Sequence, residues 1–422
     1  MSCSPRLRRR KVARLGIAVA ACLFPIMGVA QVQRAPAPVQ EALQSAWQHY
    51  PGYRAAQAQL TAAQARRNAA GQPLYNPEIE FAAEDEGPDR RTTVGVDLTL
   101  DLGGKREARR EAADARLDLA VAEARVRERD FVRQWFTGWT RWLSARERLN
   151  TGDKRLALMV RFAELAEKRF AAGDISGLER DLAALARDEA RSEQAQLIAE
   201  ETEAQARFRA VGGIPGQLDA LALGVPPPPP MPADAPSPAG LPEWRVAQAA
   251  VKAAEGDVLV ASRNRRPDPT VGVSGGRIDY GNVQDRIIGV SVRIPLFVRN
   301  SFRAEVVAAK AEAEAAVADA ARLRLELAAE QQAAIDSYRA TQRAWSGWQS
   351  SRGTEVSRRE ALLERLWREG ELSTADYLLQ LNQTLETQLA GAGLQARLWR
   401  SYVDYLAAIG QLTRWSGLEA TP

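Results

Sequence analysis

The amino-acid sequence is written twice, with a period near two hundred residues, and that duplication limits the fold more than any other feature. Asn76-Pro-Glu-Ile-Glu-Phe81 answers to Asp268-Pro-Thr-Val-Gly-Val273, and Gly95-Val-Asp-Leu-Thr-Leu-Asp-Leu102 to Gly289-Val-Ser-Val-Arg-Ile-Pro-Leu296. Further on, Arg169-Phe-Ala-Ala-Gly-Asp-Ile-Ser176 pairs with Leu366-Trp-Arg-Glu-Gly-Glu-Leu-Ser373, and Ala210-Val-Gly-Gly213 with Ala408-Ile-Gly-Gln411. The offsets run 192, 194, 197 and 198, so order is kept with only small insertions. Between the copies lie five consecutive prolines, Pro226 to Pro230, then Pro232, Pro236 and Pro238. Such a run is an extended linker, not a helix. The expected units are a leader over 1–30, a first repeat over 31–225, a linker over 226–240, a second repeat over 241–415 and a tail over 416–422.

Each copy has one grammar: helix, two strands, very long helix, turn, helix. In the first copy Val94, Val96, Leu98, Leu100 and Leu102 alternate with Gly95, Asp97, Thr99 and Asp101. In the second, Ile288, Val290, Val292, Ile294 and Leu296 alternate with Gly289, Ser291, Arg293 and Pro295. Shorter alternating runs precede them, with Ile79, Phe81 and Ala83 in one copy and Val271 and Val273 in the other. Runs of about nine residues suit a tilted strand crossing a bilayer. On that reading Val94, Val96, Leu98, Leu100, Val290, Val292 and Ile294 face lipid. Asp97, Thr99, Asp101, Ser291 and Arg293 face a wet lumen. Four strands cannot close a barrel, and an open edge in lipid is forbidden. Two chains would pool eight strands, enough for a side-chain-filled interior; three would pool twelve, enough for a channel. An open pore favours three.

Past each strand pair the period changes from two to three and a half. Leu117, Val121, Ala124, Phe131, Trp135, Gly138, Trp142, Ala145 and Leu149 step by threes and fours, with Glu128 as the one polar occupant. Val306, Ala313, Val317, Ala320, Leu327, Ala334, Tyr338 and Trp345 follow suit. This is coiled-coil spacing, and the alanines imply closely approaching helices. No proline interrupts 104–173 or 299–370, and some seventy helical residues reach roughly 100 Å. Asn150-Thr-Gly152 and Ser350-Ser-Arg-Gly353 are expected soft points in the two rods. The fold class is therefore mainly α with membrane β: a long helical coiled-coil barrel continuing a β-barrel shared between chains.

The net charge of +4 comes from the first thirty residues, where six of the 57 basic side chains (Arg6, Arg8, Arg9, Arg10, Lys11, Arg14) stand without an acid. Taking them away leaves 51 bases against 53 acids, which removes a nucleic-acid reading. Those charges precede an apolar stretch from Leu15 to Ala30, the layout of a secretory leader. The stretch continues past Cys22, which favours cleavage after Ala30 over lipidation of Cys22. Cys3 and Cys22 are the only cysteines and both fall within it, and His49 is the only histidine. No transition-metal site of ordinary type can be built from that set. Gly103-Gly104-Lys105 lacks the rest of a phosphate loop, and no nucleophile stands with a base, so neither an enzyme nor a cofactor is expected.

Asn76-Pro77, Ile294-Pro-Leu-Phe297, Phe170-Ala-Ala-Gly173-Asp-Ile-Ser and Gly370-Glu-Leu-Ser-Thr-Ala-Asp376-Tyr-Leu, in that doubled order, resemble the TolC-type outer-membrane efflux channel family. The likeness runs from about Val39 to Trp415, and its texture is most similar to the CzcC-type heavy-metal branch. It implies a homotrimer in the cell outer membrane, in contact with outer-membrane lipid, with its helical part in the periplasm. It also implies a periplasmic adaptor (a membrane fusion protein) and an inner-membrane RND-type pump as partners. The cargo would be heavy-metal cations such as cobalt, zinc, cadmium or nickel. Gly173 and Gly370 would then mark the periplasmic tip, with Glu179 and Asp376, each six residues on, either ringing its mouth or simply starting helices. A periplasmic adaptor or a coiled-coil scaffold is the alternative; the doubling argues against the first and the bilayer-length strands against the second.

Overall fold

The computed structural model describes residues 34–87, 89–218, 226, 237–350 and 356–418. The leader, with Cys22, and most of the proline-rich linker lie outside them. In the first half, α1 (Ala37–His49) and α2 (Pro51–Ala70) lead to β1 (Glu78–Glu86), β2 (Asp89–Thr99), α3 (Lys105–Ala171) and α4 (Gly177–Ala210). The second half repeats this with α5 (Pro242–Asn264), β3 (Thr270–Asp279), β4 (Gln284–Arg293), α6 (Arg303–Ser350), α7 (Val356–Arg368) and α8 (Thr374–Ala408), and α9 (Leu412–Ser416) closes the chain.

The two hairpins join into one antiparallel sheet of order β1-β2-β3-β4, so β2 and β3 form the seam between the repeats. The register stacks the apolar residues in rows. Val96 lies between Ile79 and Val273, and Val273 lies opposite Val290; Val94 meets Phe81, and Leu98 meets Val271. That face is open: Phe81 is 76% exposed, Val290 73% and Ile288 87%. Asp97, Gly272 and Ser291 share a row of the opposite face, as do Thr99, Thr270 and Arg293. Among the described residues, the outer edges of β1 and β4 have no partner strand.

The strands end earlier than the alternation suggests. Leu100 and Ile294, expected on strands, lie just past the ends of β2 and β4. The Leu100 amide still donates to the Pro269 carbonyl at 2.9 Å. Proline has no N–H to return the bond, so both ladders stop at that level.

The 67-residue α3 extends about 100 Å. It passes through Asn150-Thr-Gly152 without a break in the helix. Gly152 is a contact position, where a Cβ would lie far inside van der Waals contact with Gln194 and Leu197 of α4. In the second half α6 stops at Ser350 and α7 resumes at Val356; the expected soft point there falls on residues outside the description.

Two apolar cores hold the rods. One gathers α1, the middle of α3, the end of α4, α6, the end of α8 and α9 around Trp135, Phe136, Trp142, Phe208, Tyr402 and Trp415. The other lies near the α3–α4 and α7–α8 turns, around Met159, Phe162, Trp367, Tyr377 and Leu381. Towards the sheet the rods pack on small residues. Ala108 and Ala112 are each 1% exposed, and a Cβ on Gly256 of α5 would lie 2.8 Å from the Ala112 Cα. The alanine-rich spacing thus becomes backbone-close helix pairing. Glu128, in the apolar stripe of α3, is buried beside Arg125 at 3.5 Å, and burial pushes its carboxyl above the ordinary glutamate value.

Candidate functional site

The helical turns, the sheet, and the junction between sheet and rods carry the residues singled out from the sequence. At the turns, Gly173 and Gly370 adopt φ +78° and +77°, the left-handed conformation that ends a helix cheaply only at glycine. In each, the next amide reaches back to the last turn: Asp174 N–H to Arg169 O at 2.9 Å, and Glu371 N–H to Leu366 O at 3.0 Å. The following helix starts on a serine cap. The Ser176 hydroxyl accepts from the Glu179 amide at 3.3 Å, and the Glu179 carboxylate accepts from the Ser176 amide at 2.9 Å, a reciprocal box. Ser373 accepts likewise from the Asp376 amide at 3.1 Å and donates its hydroxyl to the Asp376 carboxylate at 2.7 Å.

Both tip acids are therefore helix-start residues, but they are not equivalent. The Trp367 indole N–H donates to the Thr374 hydroxyl at 3.2 Å, and Thr374 donates to Glu179 at 3.2 Å, tying the second hairpin to the first. Arg169 closes the same contact, its guanidinium 5.3 Å from the Trp367 ring centre and donating to the Trp367 carbonyl at 3.3 Å. The bonds from the Ser176 backbone and hydroxyl, with the one from Thr374, hold the Glu179 carboxyl below its ordinary value. Thr374 and Trp367 were not singled out from the sequence; Gly177 and Phe170 fill their places in the first repeat, and that mismatch was the available signal.

In the sheet, Asp97, Thr99, Ser291 and Arg293 lie on the face opposite the apolar rows. Arg293 approaches Asp97 at 4.0 Å, and the Thr99 and Thr270 hydroxyls are 2.8 Å apart. Asp101 departs from this set. It lies beyond β2, and its two oxygens accept from the Lys105 and Arg106 amides at 2.9 and 2.7 Å, capping α3. Burial raises its carboxyl value, but those amides and that of Gly104, with the Lys105 charge, outweigh it and hold the carboxyl low. A helix start of 67 residues is an anion-binding end, which is why the acid turns there and not along the strand.

The junction holds a buried ion pair that the sequence reading missed. Lys105 Nζ lies 2.8 Å from Asp268 Oδ2, with side chains only 10% and 3% exposed, and the Tyr75 hydroxyl donates to the same oxygen at 2.8 Å. Burial, and then that bond, push the Tyr75 phenol up to about 12. Asp268 is the second-repeat counterpart of Asn76, which is exposed. Among the described residues no group of three or more His, Cys, Asp and Glu side chains is placed to hold a metal ion. The His49 ring is hydrogen-bonded at Nδ1 to the Ser45 carbonyl of its own helix, at 2.8 Å.

An amphipathic sheet with open edges, at one end of helical hairpins about 100 Å long, defines a class. It is the fold of outer-membrane channels. The chain superposes on VceC of Vibrio cholerae with a TM-score of 0.69 at 19% identity, covering 88% of this chain and 96% of that one. The model of the outer membrane efflux protein family matches residues 42–213 of this chain. The sheet accordingly belongs to the outer membrane and the helices to the periplasm. Its relatives include the cobalt-zinc-cadmium resistance protein CzcC of Cupriavidus metallidurans, 29% identical over 238 residues, 54% of this chain and 56% of that protein. The nickel-cobalt-cadmium resistance protein NccC of Alcaligenes xylosoxydans xylosoxydans is 26% identical over 280 residues, 63% of this chain and 62% of that protein. The match thus spans a little over half the length of each of these two relatives.

Proposed function

We propose that three copies of this chain join edge to edge, β4 of one against β1 of the next, into a twelve-stranded barrel. The hairpins continue it as a helical tunnel, and the whole is a passive exit duct for cargo delivered by an inner-membrane RND-type pump through a periplasmic adaptor. One observation carries the reading. The sheet presents lipid-compatible rows on one face and polar rows on the other, yet leaves two edges unpaired, and hydrocarbon tolerates no unpaired edge. Val94, Val96, Leu98, Val290 and Val292 would meet lipid, while Asp97, Thr99, Ser291 and Arg293 would keep the lumen wet. The tip acids Glu179 and Asp376 would add carboxylates around the periplasmic mouth, attracting cations there while they cap their helices.

The cargo we infer is divalent heavy-metal cations, on the strength of the two resistance-protein relatives. The duct would offer such ions a weakly binding wet path, with selection made in the pump. The test is hydrodynamic. Purified full-length protein should require detergent and have the protein mass of three chains by light scattering. A monomer soluble without detergent would end the barrel reading. Loss of the gene should lower tolerance to cobalt, zinc, cadmium or nickel; unchanged tolerance to all four would remove the cargo assignment and leave the duct.

A further inference from the structure

The outward sheet face carries three apolar rows, and the next row, towards the hairpin turns, changes character. It consists of Ala83, Thr92, Arg277 and Arg286, with Arg277 directly opposite Arg286 across β3 and β4. Both arginines are exposed. One row further out, Arg90 is held by Asp85 at 3.2 Å. The oxygens of Asp279 are taken by the Gly281 amide at 3.0 Å and the Gln284 side chain at 3.3 Å. Arg277 and Arg286 have no carboxylate partner among the described residues. On the opposite face at this level the row is Glu84, Arg91, Ile278 and Asp285, with Arg91 directly opposite Glu84, so the excess of positive charge is confined to the outward face.

Like charges directly opposite one another destabilise a sheet. A pair of them just beyond the apolar rows needs an anion at that depth. The turns at Gly87 and Gly281 lie at the end of the sheet away from the rods, hence on the outer leaflet in the barrel reading, on which this inference rests. We propose that Arg277 and Arg286 form a cradle for the phosphate of an anionic lipid headgroup in the outer leaflet. Two guanidinium forks match phosphate oxygens, and the acyl chains run down over the row of Val94 and Ile288 and then that of Val96 and Val290. The site anchors the barrel at a fixed depth, one lipid to each chain.

The test is native mass spectrometry of the full-length protein in detergent. It is titrated with a diacyl phosphatidic acid, with the diacylglycerol of the same chains, and with inorganic phosphate as competitor. The wild type should retain the phosphorylated lipid, up to one per chain, over the diacylglycerol, and inorganic phosphate should not displace it. R277Q/R286Q should weaken retention about 10-fold or more, and R277K/R286K by less, since lysine keeps the charge and loses the fork. Equal retention by R277Q/R286Q, equal retention of the diacylglycerol, or displacement by inorganic phosphate would each overturn the assignment. The wild-type lipid comparison decides even if the double variant does not assemble. A detergent-requiring trimer that fails these arms removes only the cradle; a chain soluble without detergent removes the barrel beneath it.

Discussion

The two repeats share a grammar and live in different surroundings. The first rod, α3, is continuous and packs against α2, α4, α5 and α8, whereas α6 packs mainly on α5 and α8 and stops at Ser350. Phe131, Trp135 and Trp142 of α3 are at most 2% exposed, while Val307, Val317 and Leu325 of α6 are 67%, 53% and 75% exposed. The same divergence appears at the junction, where Asp268 is buried against Lys105 and its counterpart Asn76 is open. A duplicated unit within one chain makes one internal seam, β2 with β3, and leaves the other half of each contact unused. The first repeat has been fitted to the internal seam. The second leaves more of its rod open, the surface that a neighbouring copy would cover in the proposed barrel.

That contrast can be broken most sharply at the junction. Asp268→Ala would leave the Lys105 ammonium buried without its carboxylate, a loss of about 3–5 kcal/mol. Asn76→Ala should stay within about 0.5 kcal/mol. Denaturation of the solubilised protein monitored by circular dichroism measures both, and equal effects would show that the seams are alike. The same test works on the rods. Gly152→Ala forces a methyl into Gln194 and Leu197 and should cost about 1–3 kcal/mol. A Cβ on Gly347, in the second rod, meets nothing within 4 Å, so Gly347→Ala should stabilise by up to about 1 kcal/mol.

How much of this could be read from the sequence depends on the range of the interaction. The strands, the long helices and the glycine–serine turns are written in local period and capping chemistry, so Gly173, Gly370 and both serine caps were legible. Where a strand stops depends on what lies opposite. Leu100 continues the alternation, but Pro269 across the seam ends its ladder, and nothing near Leu100 says so; beside Ile294 the following Pro295 was a local sign. Asp101 reads as one more alternating polar residue until α3 supplies two amides for it. The Lys105–Asp268 pair joins residues 163 apart, and only the departure from Asn76 in the repeat alignment marked it. At the tip, the place of Glu179 could be counted from Gly173, but not its bond to Thr374.

The smallest expected effect is at that tip. Glu179→Gln preserves the capping box and removes a carboxyl whose value is depressed in the fold. A depressed carboxyl contributes stability that is present above its unfolded value and is lost as pH falls through its folded value. The melting temperature of the wild type should therefore exceed that of Glu179→Gln near neutrality, and the gap should close in acid. Asp376→Asn removes a carboxylate that lacks a bond from the other hairpin, and near neutrality it should lower the melting temperature by less than Glu179→Gln does. The reverse order would place the inter-hairpin tie elsewhere.

The central claim is that the free edges of β1 and β4 are closed by neighbouring copies, and a disulfide tests it directly. Within the chain Asp97 lies opposite Gly272. Carrying that pair over by the repeat offsets of 194 and 192 puts Ser291 of one copy opposite Glu80 of the next. In a single chain these two strands are separated by two others, about 14 Å, which no disulfide can bridge. The variant carrying both Ser291→Cys and Glu80→Cys, oxidised in membranes, should yield covalent dimers and trimers and nothing larger, and either cysteine alone should yield neither. A chain that stays monomeric under oxidation, or a ladder that continues beyond three, would contradict closure of these edges into a three-chain barrel.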